Sequence, residues 1–303
     1  MKYLHKFATQ AQFESYYNGE NYEEPFVGLI AETSGVSYNK GSVPPPSPYL
    51  SMPLTVEVTA GSCELYINKE RLKYKKNDGN WTITTGYGET INVTSGDVIQ
   101  FKQDYERVSS SSLLLPLFSQ YEDSDDFRFI IYGNVMSIYS ENGFENLTEF
   151  TNEESNVFEN LFGYCNVISA ENLILPVTSL TEYCYSYMFN RCYSLTTAPE
   201  LPSTTLADSC YHCMFSDCTE LTTAPSILPA TTLVDNCYYC MFDGCTSLNY
   251  IKCLATDISA TYCTSYWVQN VSPTGTFVKN PNMSSWTTGD SGIPNGWTVE
   301  DAS

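Results

Sequence analysis

Two Cys-x-x-Cys pairs are the sequence feature that most suggests chemistry. Cys210-Tyr-His-Cys213 and Cys237-Tyr-Tyr-Cys240 have the spacing of zinc ligands. The second pair, however, is the equivalent of the first pair in the next copy of a repeated sequence. Stacked copies of a repeat would align these thiols in ladders and not at the corners of a tetrahedron. We therefore expect no metal, and no βαβ pattern surrounds the pairs to indicate a thioredoxin-like redox role.

Other catalytic arrangements have little to build on. The chain has only two histidines, His5 and His212, so a Ser/His/Asp or Cys/His site is not indicated. Carboxylates are abundant, but a sequence does not show the close spacing that glycoside hydrolysis needs. No glycine-rich phosphate loop is present. The sequence predicts a non-enzymatic protein without a cofactor.

The cysteines belong to a repeat that occurs three times, over Leu175–Leu195, Leu201–Leu221 and Leu228–Leu248. Its Met-Phe pair recurs at a nearly constant interval, at Met188, Met214 and Met241. Weaker matches precede and follow, at Leu161-Phe162 and at Tyr266-Trp267, which fall at the Met-Phe position. A period in the range of roughly 20 to 50 residues predicts a solenoid, here of about four and a half coils.

Each coil is predicted to contain one short strand and one helical turn. The Thr-Thr-Leu-Ala-Asp-Ser-Cys-Tyr-x-x-Met-Phe run has apolar residues near i, i+4 and i+8, which suits a short helix or turn. The Leu-Thr-Thr-Ala-Pro-x-Leu-Pro run suits a strand that its prolines keep short. Stacked coils would place columns of Leu, Phe and Cys in one core.

The repeat resembles a known family. Its Phe-x-x-Cys-x-x-Leu pattern, followed by Leu-Pro and Thr-x-Leu, is similar to the leucine-rich repeats of BspA-like bacterial surface proteins. The Thr-Thr-Ala-Pro-x-Leu-Pro-Ala-Thr-Thr-Leu stretch resembles repeats of gut Bacteroidetes proteins and of the phages that infect these bacteria. The resemblance covers the repeated part of the chain, about a third of the sequence. It implies an adhesion or assembly surface and provides no catalytic residues.

Eleven of the twelve cysteines lie at repeat positions between Cys165 and Cys263. They form two predicted columns, with a third begun by Cys213 and Cys240; the two columns are Cys184/Cys210/Cys237/Cys263 and Cys165/Cys192/Cys218/Cys245. Buried cysteine behaves as a small apolar residue, which suits a narrow core. Parallel side chains rarely have a disulfide dihedral, so reduced thiols are expected.

Charge and hydropathy exclude other classes. The formal net charge is −21, and only Arg191 and Lys252 are basic between residues 151 and 263, so binding to nucleic acid is not expected. The N-terminus lacks the shape of a signal peptide, and no apolar run is long enough for a membrane-spanning helix. We therefore expect synthesis in a cytoplasm without membrane insertion, which favours a virion protein over an exported adhesin.

Four segments follow along the chain. Residues 1–49 are an N-terminal attachment segment with a Pro-rich linker, 50–140 a small antiparallel β-sandwich, 141–265 the solenoid and 266–303 a C-terminal cap. The fold class is thus mainly β with short helices, ending in a BspA-like leucine-rich-repeat solenoid of about four to five coils.

The opening segment contains a predicted helix over Phe7–Tyr16 and a strand over Pro25–Ile30. Its Lys-Phe-Ala-Thr-Gln-Ala-Gln-Phe, Glu-Pro-Phe-Val and Val-Ser-Tyr-Asn-Lys stretches resemble the N-terminal segments of structural proteins from crAss-like and related gut phages. That resemblance implies attachment to other virion proteins. The alternative is a plain leader that packs on the next domain.

Six short strands are predicted in residues 50–140, at Leu54–Val58, Cys63–Ile67, Trp81–Ile83, Thr90–Val93, Val98–Phe101 and Phe127–Gly133. The acidic run Glu122–Asp126 lacks the EF-hand spacing and is predicted to be a solvated loop. Segments around Val135 and Phe144 are expected to cap the first coil, and Trp286 and Trp297 to cover the last.

Tyrosines supply the candidate ligand surface. Tyr185, Tyr211 and Tyr238 share a column that we interpret as internal packing. A second column of Tyr187 and Tyr239, with Tyr193 and Tyr250 nearby, would give an outward strip able to meet sugars or protein partners.

The sequence thus predicts a non-enzymatic virion structural protein of a gut Bacteroidetes phage, a fibre or decoration of the head or tail that attaches to the host surface. Expected partners are other virion proteins, a host glycan or protein, and further copies of the chain. Two alternatives stay open: a BspA-like adhesin of the bacterial cell surface, and a purely architectural virion protein.

Overall fold

The structure, a computed structural model, describes residues 30–32, 35–37, 47–68, 71–85, 88–104, 117–121, 126–150 and 155–303. The chain divides into two compact units, residues 1–48 and 49–303. The helix predicted for Phe7–Tyr16 lies outside the described residues, as does the acidic run predicted as a loop, except for Asp126. In the first unit, strand β1 (Ile30–Glu32) pairs antiparallel with β2 (Gly35–Ser37).

The second unit begins with strands that form two sheets. They are β3 (Leu54–Ala60), β4 (Ser62–Ile67), β5 (Leu72–Lys76), β6 (Thr82–Ile83), β7 (Glu89–Thr94), β8 (Val98–Gln103), β9 (Phe118–Tyr121) and β10 (Arg128–Asn134). One sheet has the order β11-β10-β3-β8-β5-β6, with β11 at Val167–Ile174, and the other has the order β7-β4-β9. All six strands predicted from residues 50–140 are confirmed.

Alternation explains why these segments form strands. In β8, Ile99, Phe101 and Gln103 point inward, while the residues between them are half-buried. Phe129 and Ile131 do the same in β10. Side chains on one face of a strand recur every second residue, so each of these two strands contributes one mostly apolar row to the core.

The six-stranded sheet is not purely antiparallel. Strand β10 pairs antiparallel with β3 on one side and parallel with β11 on the other. Two short 3₁₀ helices, Val135–Ile138 and Phe144–Asn146, follow β10. The Asn134 side chain caps the first of them by accepting a hydrogen bond from the Met136 amide at 2.9 Å.

The predicted leucine-rich-repeat solenoid, with one strand and one helical turn per coil, is wrong. None of the sheets runs through the repeats: between β11 and strand β12 (Tyr250–Cys253), strand pairing is reduced to isolated bridges such as Ser169 with Thr197 and Thr197 with Thr223. No helix occurs in the described residues from 155 onward. The mainly-β part of the predicted fold class is correct.

A ribbon of β-turns replaces the predicted helix. In the first repeat, the Cys184 amide donates to the Thr181 carbonyl and the Ser186 amide to the Tyr183 carbonyl, while the Tyr185 amide donates to Cys210 of the next repeat. This alternation continues along the segment. Amides therefore bond in turn within a repeat and to the next repeat, which stacks the repeats without a continuous strand.

Positive φ angles explain why no helix forms. They recur at every fourth residue of the ribbon: Tyr183, Tyr187 and Arg191, then Ser209, Cys213 and Asp217, then Asn236, Cys240 and Gly244. A positive φ at the third position of a turn is the geometry of a type II turn and is incompatible with a right-handed helix. Each such residue other than glycine costs about 1 kcal/mol or more, which the stacking must offset.

Columns of aromatic side chains form the core of the stack. Phe158, Tyr185, Tyr211, Tyr238 and Trp267 lie ring on ring, with centroids 5.9 to 6.1 Å apart. The interpretation of the Tyr185 column as internal packing is confirmed, since its three tyrosines are at most 2% exposed. A second column of Phe162, Phe189, Phe215 and Phe242 has spacings of 5.5 to 5.6 Å.

The C-terminal residues continue the stack. Strand β12 pairs in parallel with β13 (Thr276–Lys279), and β13 with β14 (Thr298–Asp301). Trp286 stacks on Trp267 with a centroid distance of 5.6 Å, and the Trp297 indole N–H donates to the Ser272 carbonyl at 2.7 Å. The chain thus ends by covering the last turn ribbon with two indoles.

Candidate functional site

A row of aromatic rings crosses four successive repeats on the outside of the stack. Its members are Tyr187, His212, Tyr239 and Tyr266, and we call them the aromatic row. The Tyr187 hydroxyl is hydrogen-bonded to His212 Nε2 at 3.1 Å. The imidazole of His212 stacks on Tyr239 at 4.8 Å, and Tyr239 meets Tyr266 edge to face at 6.1 Å. The rings therefore form a continuous strip.

The turn ribbon positions these side chains. The amide of Tyr187 donates to the His212 carbonyl at 2.8 Å, and that of Cys213 to the Tyr239 carbonyl at 2.8 Å. Tyr187 therefore lies in a column with Cys213 and Cys240, whereas Tyr239 lies beside it in a column with His212. The predicted shared column of Tyr187 and Tyr239 is wrong by one residue, although their rings are joined through His212.

Exposure is greatest at the last ring of the row. Tyr187, His212 and Tyr239 are half-buried, and Tyr266 is 48% exposed. Phenol rings combine a broad apolar face with a hydroxyl, a combination that is common at sugar and protein contacts. The row therefore presents four ring faces or edges that a ligand could cover.

The other two predicted tyrosines lie outside the row. Tyr193 is 52% exposed, and its carbonyl accepts from the Thr219 hydroxyl of the next repeat at 3.2 Å. Tyr250 is 41% exposed at the start of β12, opposite Thr276 of β13. Both are single exposed rings, so the four predicted residues do not form one surface.

Burial shapes the acid–base state of the row. It lowers the pKa of His212, so the imidazole is neutral at pH 7. Burial, with smaller contributions from Cys213, raises the pKa of Tyr187 to about 12. Cys240 raises the pKa of Tyr239. Tyr187, His212 and Tyr239 are therefore uncharged at neutral pH and meet a ligand through stacking and hydrogen bonds.

An open cleft of about 200 Å³ adjoins the row at Tyr187. Its other lining residues are Glu159, Asn160, Tyr164 and Asn190. Carboxylate, amide and phenol groups are those that hydrogen-bond and stack with sugars. The cleft is smaller than typical small-molecule pockets, which hold roughly 300 Å³ or more, so it would accept one group of a larger ligand.

Arg191 lies next to this cleft and is the one basic side chain of the first three repeats. Its guanidinium lies over the ring of Tyr164, 5.4 Å from the centroid, and its Nε donates to Asp217 Oδ2 at 3.3 Å. The Arg191 guanidinium is therefore already engaged by a carboxylate and a phenol ring.

The described part of the chain contains neither a candidate metal-binding cluster nor a candidate membrane-spanning helix. No three His, Cys, Asp or Glu side chains gather there in a way that could hold a metal ion. Nor does any helix of that part have the length and apolar character needed to cross a membrane. All twelve cysteines are free, and the two Cys-x-x-Cys pairs are divided between columns. Cys210 and Cys237 are fully buried, whereas Cys213 and Cys240 lie beside the aromatic row.

Comparison with known proteins found no matching family, no matching curated protein and no matching solved structure. The resemblance to BspA-like repeats therefore stays a hypothesis drawn from the sequence.

Sequence reasoning missed two members of the row. His212 aligns with Ser186 and Tyr239 and reads as a variable position. Tyr266 was hidden by a register shift, because the Phe242 amide donates to the Trp267 carbonyl, which places Trp267 and not Tyr266 at the Met position. The signal available in the sequence was that Tyr266 stands directly before Trp267, an apolar aromatic residue.

Proposed function

We propose that this chain is a non-enzymatic structural protein of a phage virion, a fibre or decoration of the head or tail, whose stacked repeats contact the host surface. The observation that carries the binding role is the aromatic row, Tyr187 to Tyr266, which runs unbroken across four repeats. Attachment through residues 1–49 and membership of a virion rest on the sequence resemblance.

The exposed side chains of the repeats support binding. The large apolar side chains exposed among the described residues include five tyrosines of this region, which are Tyr164, Tyr193, Tyr250, Tyr262 and Tyr266. Tyrosine is enriched in protein interfaces because it buries much area with few rotatable bonds. A surface that only faced water would gain nothing from this concentration of phenol rings.

The net charge of the protein limits the kinds of ligand that the aromatic row would bind. With a net charge of −21, the protein repels anionic surfaces at long range, and salt at physiological strength weakens this repulsion beyond about 8 Å. A neutral glycan or a protein patch of neutral or basic character fits the aromatic row better than an anionic polymer. Each contact would be weak, and many copies on one particle would gain affinity by avidity.

Immunogold electron microscopy of particles from a producing culture tests the virion location. Antibody raised against the purified full chain should place gold at one fixed position on each particle, and gold-labelled pre-immune antibody serves as the control. Gold on bacterial envelopes with bare particles would overturn the proposal in favour of the cell-surface adhesin. Labelled particles together with no binding of the protein to host cells would favour the purely architectural virion protein.

A further inference from the structure

Cys213 and Cys240 occupy equivalent places in consecutive repeats, each directly before the Met-Phe pair. The repeats are hydrogen-bonded at this point, since the Cys213 amide donates to the Tyr239 carbonyl at 2.8 Å. Neighbouring hydrogen-bonded chains stand about 4.8 Å apart. That separation falls within the Cα distances of disulfides, which are roughly 4.4 to 6.8 Å.

The two side chains lie close enough for each thiol to shift the pKa of the other. Two tyrosines of the aromatic row adjoin the pair, since Cys213 contributes to the raised pKa of Tyr187 and Cys240 to that of Tyr239. Cys240 is half-buried, so a small reagent reaches it from the aromatic row. Cys240 is therefore accessible, and Cys213 lies buried beside it.

The buried cysteine column differs in each respect. Cys192, Cys218 and Cys245 are fully buried, and their thiols donate to backbone carbonyls of the preceding repeat at 3.0 to 3.1 Å. Burial raises the pKa of all three thiols, to about 12 for Cys192. A buried thiol that donates to a carbonyl is both unreachable and un-ionised, so this column is inert.

The pKa values of the two thiols shift in opposite directions. As acceptor from Cys213, Cys240 has a lowered pKa, whereas that hydrogen bond and burial raise the pKa of Cys213. The nearby carboxylate of Asp243 opposes ionisation of both thiols but does not reverse the direction for Cys240. Since the thiolate is the nucleophile, Cys240 is the group that attacks first, and Cys213 reacts in the second step.

We propose that Cys213 and Cys240 form a dithiol that hydrogen peroxide oxidises to a disulfide between two repeats. The Cys240 thiolate attacks one peroxide oxygen, the O–O bond breaks, and the leaving hydroxide takes a proton to become water. The resulting sulfenic acid is attacked by Cys213, whose proton goes to the departing hydroxyl. An S–S bond forms, the S–O bond breaks and a second water leaves, so the two thiols lose two electrons to the peroxide.

The disulfide would be readily reversible. Parallel neighbouring side chains do not reach the preferred disulfide dihedral without movement, and a strained disulfide is more easily reduced. The structure therefore assigns a reversible cross-link that fastens the second repeat to the third. This assignment does not depend on what the aromatic row binds.

Mass spectrometry of the full chain tests the assignment. Reduced protein is treated with a small excess of hydrogen peroxide, alkylated, unfolded and digested with chymotrypsin. Cleavage after Tyr211, Phe215, Tyr239 and Phe242 yields His212–Phe215 and Cys240–Phe242, which hold one cysteine each. We expect these two peptides joined and two hydrogens lighter, and released by a mild thiol reductant.

Three serine variants separate the roles. Cys240→Ser should slow peroxide consumption at least tenfold, and Cys213→Ser should leave a sulfenic acid on Cys240 that dimedone captures. Cys218→Ser, which has the same repeat spacing in the buried column, should react like the unmodified protein. Far-ultraviolet circular dichroism confirms that each variant is folded. The proposal is overturned if peroxide joins other cysteines, or if Cys213 and Cys240 stay reduced while the protein is folded.

Discussion

The imidazole of His212 lies flat against the phenol ring of Tyr239, with centroids 4.8 Å apart and planes 7° from parallel. Since the other side of the imidazole is hydrogen-bonded to the Tyr187 hydroxyl, the three rings fix one another. Rings that are already ordered lose little conformational freedom when a partner covers them. The stack therefore makes the aromatic row a preorganised surface and not a set of independent side chains.

His212 should titrate below the ordinary value of 6.5, because burial disfavours the imidazolium. The His5→Gln variant leaves one imidazole for nuclear magnetic resonance titration. A group whose folded pKa is lowered destabilises the fold as pH falls below its unfolded pKa, so the free energy of unfolding should drop between about pH 7.5 and pH 5.5. His212→Tyr, which keeps a ring, should reduce that drop. A pKa above 6.5 would contradict the burial argument.

Tyr185 carries a hydroxyl that is buried and has no hydrogen-bond partner among the described residues. Removing an unsatisfied buried hydroxyl returns its desolvation cost, which is about 1 kcal/mol or more. Tyr185→Phe should therefore leave the free energy of unfolding unchanged or raise it by about 1 kcal/mol in urea titrations. Tyr185→Ala, which also removes the stacked ring, should lower it by about 3 kcal/mol or more. Destabilisation by the phenylalanine variant beyond about 1 kcal/mol would show that the hydroxyl is satisfied.

Gly244 is a ribbon position where an added side chain would meet both backbone strain and a close contact. Its φ is 76°, and an added Cβ would lie 2.5 Å from Asp217 Oδ1. Gly244→Ala should lower the free energy of unfolding by about 1 to 2 kcal/mol, from the left-handed backbone and from displacement of Asp217. The matched change in the opposite direction is Tyr262→Asn, since Tyr262 is exposed with φ of 53° and Asn236 fills the same place one repeat earlier. This variant should gain a few tenths of a kcal/mol; equal stability of both variants would contradict the strain argument.

Asp97 holds together the turn between β7 and β8. Burial by itself would raise the pKa of its carboxyl, but hydrogen bonds from Lys76, Asn77 and the Thr94 amide, each 2.8 Å long, outweigh burial and hold the pKa well below its usual range. The resulting stability is present above about pH 4 and is lost as pH falls further.

Replacement of this carboxylate measures its contribution. Asp97→Asn should lower the free energy of unfolding at pH 7 by about 1.5 to 3 kcal/mol and weaken its fall below about pH 4. Asp78→Asn, in an exposed turn of the same unit, should stay within about 0.5 kcal/mol of the unmodified protein at pH 7. Equal effects of the two substitutions would show that the hydrogen bonds to Asp97 contribute nothing specific.

Alternation made the strands of residues 50–140 predictable, because a period of two follows directly from the pleat. Strand β5 was not predicted, because its inward residues Leu72 and Tyr74 lie among lysines. Strand β11 was not predicted either, because its pairing with β10 is a long-range contact that no local sequence pattern indicates. The buried column of Tyr185, Tyr211 and Tyr238 was predictable, since equal spacing places equivalent residues at the same point of each repeat.

The helix prediction failed for a specific reason. Apolar residues at i, i+4 and i+8 suit a helix, but alternating turns also advance four residues at a time. Only the φ angles distinguish a helix from alternating turns. Residues such as Tyr187 and Arg191 have positive φ angles although they are not glycine, so the sequence does not indicate these angles. The candidate site was half predicted, because Tyr187 and Tyr239 belong to the row while His212, which joins them, reads as a variable position.

Binding of the labelled full chain to cells of the proposed host, a gut Bacteroidetes bacterium, tests most directly whether the aromatic row is the contact surface. The double variant Tyr239→Ala/Tyr266→Ala removes two rings of the row. The control Tyr262→Ala removes a ring of the same repeat that is 64% exposed but lies outside the row.

Loss of two interface tyrosines costs about 1.4 kcal/mol or more, which is about tenfold in affinity. We predict at least that loss for the double variant, and binding within about twofold of the unmodified protein for the control. Binding that both variants retain, with both folded, would contradict the role of the aromatic row.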